Sequence, residues 1–167
     1  MLNKLKPTQY LVVGGGALVV VFGLLKWFSW EIDNEGVRGS DKSNAFDYLF
    51  TGVVPWILLG GAAVVTVLLA TGALNPGRIP WPLVMLAATT LGAILIIIRV
   101  IIGDDPDIEG VDVEVSRGIG LWISALGAIL AAVGAFLTYQ AESFDSRTSL
   151  SSGGRPQPDR ELPPTAS

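Results

Sequence analysis

The chain has 167 residues, 50% of them apolar, and a mean hydropathy of +0.55, which sets it apart from soluble domains and points to a bilayer. It contains no cysteine and no histidine, so disulfides, thiolate nucleophiles, Cys-based metal sites and the commonest general base are all excluded. The net charge of −4, with no Lys/Arg run to offset it, argues against a nucleic-acid partner.

In chain order, Lys4 and Lys6 precede an apolar run from Leu11 to Leu25 that leads into Lys26 and Trp27-Phe28-Ser29-Trp30. A secretory signal would end in a small-residue cleavage site; bulky aromatics suit a membrane interface, so the run reads as an uncleaved span over about residues 10–27. Glycines at 14, 15, 16 and 23 would weaken a soluble helix. In lipid an unbonded backbone costs more, so the helix persists and the glycines become contact surface.

Residues 31–47 carry Glu31, Asp33, Glu35, Asp41 and Asp47 against Arg38 and Lys42, with Gly36 and Gly39 as turn points, and read as a solvated loop. Ala45, Phe46, Leu49, Phe50 and Val53 then suggest an interfacial turn into a second span over about 53–74. Pro55 is harmless if it lies in the first helical turn and kinks the helix if that helix begins near Ser43. Ala63, Thr66, Ala70 and Ala73 form a stripe of small residues along this span. The turn Asn75-Pro76-Gly77-Arg78 leaves little chain before a third span over about 82–102, so spans two and three are antiparallel neighbours.

A second acidic loop follows, with Asp104, Asp105, Asp107, Glu109, Asp112 and Glu114, and with Val111, Val113 and Val115 alternating as a short extended piece. Ser116 can cap a fourth span over about 118–140. On that span Gly120, Ser124, Gly127, Ala131, Gly134 and Thr138 recur at steps of three and four, which keeps one side of the helix narrow enough for close backbone approach. Trp122, Leu126, Ile129, Val133 and Phe136 make the opposite side bulky. The expected fold is an all-α, four-helix transmembrane bundle (residues 1–141) with two short acidic outer loops and a disordered cytoplasmic tail (142–167) too polar to bury a core.

Cations set the orientation, because Lys and Arg are retained in the cytoplasm. Lys4, Lys6, Arg78, Arg147, Arg155 and Arg160 fall on one side, with Arg38, Lys42 and Arg117 in the loops of the other, so both termini are expected inside. Eleven of the fifteen carboxylates lie in the two outer loops, making that side anionic.

Arg99 falls toward the outer end of the third span. Its long side chain is expected to snorkel to headgroups or to Asp104 and Asp105, although a helical side shared with Ala88 and Gly92 would turn it into the bundle. Lys26 stands similarly beside Glu31, giving the two hairpins a faint likeness and an alternative reading as a parallel repeat in a small transporter or channel component. Asp105-Pro106-Asp107-Ile108-Glu109-Gly110 opens like a calcium loop, but the position that needs a bidentate glutamate is Ser116, so no metal is expected.

Trp27-Phe28-Ser29-Trp30, then Asn44-Ala45-Phe46-Asp47 leading to Val54-Pro55-Trp56, then Arg117-Gly118-Ile119-Gly120-Leu121-Trp122, give the chain a resemblance to small four-span integral membrane proteins of actinobacteria, whose activity is not established. The resemblance covers most of residues 10–140 and implies no cofactor and no catalytic residue. It is looser to claudin-like tetraspans, which carry paired cysteines in the first outer loop. The carboxylates lie in loops and tail, away from any nucleophile, so no catalytic, cofactor-binding or metal residues are assigned. The expectation is a non-enzymatic membrane protein that packs against other helices, with the bilayer and either a membrane-protein partner or a homo-oligomer as its contacts. Lys26, Arg99 and the small residues of the fourth span are the candidate interaction residues.

Overall fold

A computed structural model describes residues 5–34, 37–75, 77–103 and 113–152. Four helices account for most of it: α1 (Pro7–Gly23), α2 (Val54–Thr71), α3 (Trp81–Ile102) and α4 (Ile119–Ser152). They form the expected bundle, arranged so that α1 packs on α2 and α4, and α3 on α2 and α4. Three stretches, Leu49–Thr71, Trp81–Ile102 and Ile119–Phe144, are long and apolar enough to cross a membrane, and α1 is a shorter apolar helix of 17 residues.

The segments expected to be loops hold the main departure from the sequence reading. At one end of the bundle they form a three-stranded antiparallel sheet, β1 (Phe28–Asn34), β2 (Val37–Ser43) and β3 (Val113–Arg117), in the order β2-β1-β3. In the register, Trp30 lies opposite Asp41 and Val115, and Ile32 opposite Gly39 and Val113. Gly39 is therefore a strand residue and not a turn. Charge content concealed the strands, since acidic residues at every second position read as a loop by composition although their spacing is compatible with a strand. Ser116 caps no helix; it belongs to β3, and its hydroxyl meets that of Ser29 at 2.7 Å.

Trp27 and Phe28 are the second correction. Expected at the membrane interface, they are 1% and 0% exposed and sit in the core with Ile96 and Leu121, beneath the sheet. The backbone of Trp27 ties the sheet end of the bundle together, donating to the Ser43 carbonyl (2.7 Å) and accepting from the Gly118 amide (2.6 Å). A side chain at Gly118 would press on the Lys26 carbonyl carbon at 2.9 Å, which explains the glycine there.

Between β2 and α2 the chain makes two tight turns. Asn44 accepts from the Phe46 amide (2.8 Å) while Asp47 accepts from the Asn44 amide (2.7 Å), closing a reciprocal cap on a 3-10 turn. A π turn over Leu49–Val53 follows, with the Val53 amide reaching the Tyr48 carbonyl at 2.9 Å. Pro55 then falls in the first turn of α2, where its missing N–H costs nothing, and the wide π turn absorbs the change of direction upstream.

At their C-terminal ends, α2 stops at Gly72 in a left-handed cap (φ 76°, ψ 10°) and α3 at Gly103 (φ 73°, ψ −158°), both positive-φ conformations that glycine adopts without a Cβ penalty. α4 continues helical to Ser152, eleven residues beyond the boundary expected at Ala141, because adding a residue to an existing helix needs no new nucleus. Residues 153–167, the rest of the expected disordered tail, lie outside the described residues, as do Asp104 and Asp105 and the calcium-like Asp105–Gly110.

Candidate functional site

The small-residue stripe of α4 has a defined partner, and it is α1. Gly120, Ser124, Gly127, Ala131 and Gly134 are all buried and Thr138 half-buried. A Cβ at Gly127 would lie 2.8 Å from the Gly15 carbonyl oxygen, one at Gly120 2.9 Å from that of Phe22, and one at Gly134 2.8 Å from that of Thr8. From α1 the relation is reciprocal, since a Cβ at Gly15 would lie 2.6 Å from the Ala131 amide nitrogen. Thr138 completes the seam: its hydroxyl donates to the Gly134 carbonyl (2.8 Å) and lies 3.0 Å from Thr8 Oγ1, within hydrogen-bond reach. The helices run antiparallel with backbones in contact, the geometry that lets dispersion and dipole contacts hold helices together when lipid gives no hydrophobic drive. The bulky side of α4 faces outward, with Trp122, Leu126 and Phe136 about half exposed.

The two cations are placed differently. Lys26 is exposed just past the end of α1, while Arg99 is half-buried in the last turn of α3. The Arg99 guanidinium is turned inward, with Cζ 3.7 Å from the Tyr48 ring centroid and 4.9 Å from that of Phe28. The two rings meet edge to face (5.9 Å, 77°), and the Tyr48 hydroxyl is fixed by Ser43 Oγ at 2.7 Å. Arg99 thus links α3 to β1 and to the turn before α2 through these two rings, while Asp104 and Asp105, its other expected neighbours, lie outside the described residues. Its place in the last turn of α3 also sets a positive charge at the negative end of the helix dipole. Lys26 and Arg99, paired in the sequence as a possible repeat, thus stand in different surroundings. Tyr48, Phe28 and Ser43 were not singled out as Arg99's neighbours, because pairing across more than fifty residues leaves no periodic trace in the sequence.

Hydroxyls inside the bundle are mostly turned back on their own helices: Thr66 donates to the Ala62 carbonyl (2.7 Å) and Thr89 to that of Met85 (2.8 Å). Among the described residues Ser124 Oγ and Trp27 Nε1 are buried without a hydrogen-bond partner. Trp56 caps α1 by donating its indole N–H to the Val20 carbonyl (3.1 Å), one of the last-turn acceptors that a helix leaves open.

At the end of the bundle away from the sheet, the four helices and the α2–α3 connection surround a cavity of about 460 Å³. Its floor is Thr66 and Met85, both buried, and Gln9, Trp81, Thr138 and Glu142 stand around it. Nothing in the sequence periodicity announced it, since it arises where small residues such as Ala70 and Ala135 from different helices converge. No group of three or more metal-ligating residues occurs among the described residues. A scan against protein-family models finds no match for the chain, and a search of the curated proteins likewise finds none.

Proposed function

We propose that this chain is a four-span, non-enzymatic integral membrane protein that serves as an assembly or interaction subunit of the cell envelope, with both termini cytoplasmic and the sheet outside. The observation that carries this reading is the closed α1–α4 seam. From Thr8 against Gly134 to Phe22 against Gly120, α1 lies beside α4 over about 20 Å, taking about 1.5 Å per residue, so if α4 crosses the bilayer α1 crosses most of it too. The seam also leaves no polar path along it, and a permeation route needs one.

Arg99, held on two rings beneath the sheet, fits a structural charge better than a gate, which weighs against the transporter alternative. Because the seam residues are occupied by α1, a partner helix would meet the outward surfaces of α2 and α3, where Ile57, Val64, Leu91, Ile94 and Ile98 are exposed. The likeness to four-span actinobacterial proteins belongs to the same reading.

Cysteines introduced at Ser40 and Ile108 are expected to react with a membrane-impermeant reagent in intact cells, and one at Gly77 only after lysis. A photoreactive residue at Ile98 is expected to give a discrete crosslinked species in native membranes. Labelling of Gly77 in intact cells would overturn the orientation. Solute or ion flux in proteoliposomes that disappears in Arg99→Leu would replace the assembly reading with the transporter one.

A further inference from the structure

From the junction between the sheet and the bundle, we infer that the protein binds the head of an anionic phospholipid through Lys26 and Arg117, in the leaflet on the sheet side. The inference rests on the membrane reading above and adds to it a lipid class and a site.

Three helix ends at this junction finish in exposed apolar side chains: Leu24 after α1, Ile102 closing α3 and Ile119 opening α4 are 61%, 67% and 64% exposed. Two residues from Leu24 and from Ile119 the exposed side chains become cationic, Lys26 on one segment and Arg117 on the other. So abrupt a change marks the level at which hydrocarbon gives way to phosphate, because Lys and Arg there keep their stems among the chains and their charge among the heads.

The fold also sets the two cations side by side. Trp27 accepts from the Gly118 amide (2.6 Å), and a Cβ at Gly118 would lie 2.9 Å from the Lys26 carbonyl carbon, so the segments that carry Lys26 and Arg117 touch through their backbones. Arg117 Nη2 comes within 3.4 Å of a Cβ placed on Gly103, which sets the guanidinium over the end of α3, next to Ile102. Neither side chain makes a hydrogen bond or ion pair among the described residues. Like charges held this close repel, and an anion between them reverses the sign. A phosphodiester suits both: the guanidinium fork grips its two free oxygens, and each oxygen keeps a lone pair for an ammonium.

The register sets the strand carboxylates farther off. Arg117 pairs with Phe28 at the bundle end of β1, whereas Asp41 enters opposite Trp30, and Glu114 opposite Glu31. Those rows lie two and three residues farther along, roughly 7–10 Å at about 3.3 Å per residue. Asp47, in the turn before α2, has Oδ2 engaged by the Asn44 amide (2.7 Å). A zwitterionic head brings its own ammonium against Lys26 and Arg117, so an anionic head is favoured, by about fivefold for each basic residue at the surface.

The test uses the full chain in nanodiscs of mixed phosphatidylglycerol and phosphatidylcholine. Phosphatidylglycerol or phosphatidylcholine carrying a diazirine in the head is added in turn, and adducts are mapped by mass spectrometry. Over residues 24–29 and 116–122, phosphatidylglycerol adducts are expected to exceed phosphatidylcholine adducts about fivefold or more. Lys26→Gln and Arg117→Gln, alone and together, are expected to lower that ratio stepwise towards one, while Lys26→Arg keeps it. Both positions are exposed, so each single variant is expected to match the parent in helicity. Inorganic phosphate at constant ionic strength is expected to leave the ratio unchanged. Equal adducts from the two lipids in the native chain, a ratio that survives the double substitution, or displacement by inorganic phosphate would overturn the inference. Phosphatidylcholine with the diazirine at its tail end is expected to label outward Ile94 and Ile98 in every variant. Its failure to do so would remove the membrane reading itself.

Discussion

Gly14 and Gly15 are adjacent in sequence, and the fold predicts opposite outcomes for the same substitution at each. Gly14 is exposed, and a Cβ there meets nothing within 4 Å. Gly14→Ala therefore gains helix propensity, about 0.5–1 kcal/mol in soluble helices, at no packing cost. At Gly15 the added Cβ would lie 2.6 Å from the Ala131 amide nitrogen and 3.0 Å from Ala131 Cβ, and would meet the Gly127 carbonyl oxygen as well. Two of these three neighbours are backbone, so no rotamer change relieves the clash and α1 must move away from α4 by roughly 1 Å. A gap of about 0.5–1 Å forfeits a quarter to a half of each contact's well of about 0.1–0.2 kcal/mol. Over on the order of thirty atom pairs along the seam, that loss is about 1–2 kcal/mol, within the 1–3 kcal/mol typical of overpacking. Thermal unfolding of both variants in one detergent, with helicity as the readout, is expected to place Gly14→Ala at or above the parent and Gly15→Ala clearly below it. Equal stabilities would refute the backbone contact between the first and last helices.

The partner side of the seam is expected to follow the same logic: Gly127→Ile should cost at least about 1–3 kcal/mol, while Leu126→Ile, on the exposed side, should change the unfolding midpoint little. Arg99→Leu removes the stacking on Tyr48 and is expected to cost about 1–2 kcal/mol, with Arg99→Lys recovering only part because an ammonium lacks the planar stack; full recovery by lysine would show that charge alone matters. Ser124→Ala keeps the Cβ and removes a buried hydroxyl that has no partner among the described residues, so unfolding measurements should find it neutral or stabilising by up to about 1 kcal/mol. Gly52→Ala would drive a Cβ into the Ala45 backbone and is expected to destabilise the turn before α2 more than any other single Gly→Ala change, which hydrogen exchange at Val53 and Val54 would register.

The helices were legible because each is a long apolar run bounded by charge, proline or glycine, and the α4 stripe was legible because close packing imprints a three-and-four spacing on one chain segment. What that stripe packs against was not, since Gly15, which meets it, is flanked by an exposed Gly14 and by Gly16, which faces α2, and three adjacent glycines offer no periodicity. The sheet was hidden for a related reason: Glu31, Asp33 and Asp41 carry the composition of a loop, and pairing between Phe28 and Arg117 joins segments with two helices between them. Trp27 and Phe28 look like interface anchors by type, yet a sheet laid over the bundle converts that position into core. The rings beside Arg99 were hidden as well, because Tyr48 and Phe28 lie more than fifty residues upstream of it.

β1 is the central strand, and its two neighbours reach it at very different times in synthesis. β2 follows at once through a short hairpin, whereas Ser29 waits 87 residues for Ser116. α1 is in the same position, because its closest backbone contacts are with α4, which the chain reaches only after α2 and α3. Until α4 is made, one edge of β1 and the glycine side of α1 stay uncovered, so the sheet and the helix seam close in a single late event. Chains halted after α3 would then present both an open strand edge and an open helix groove, the two features that membrane quality control and stray partners recognise most readily.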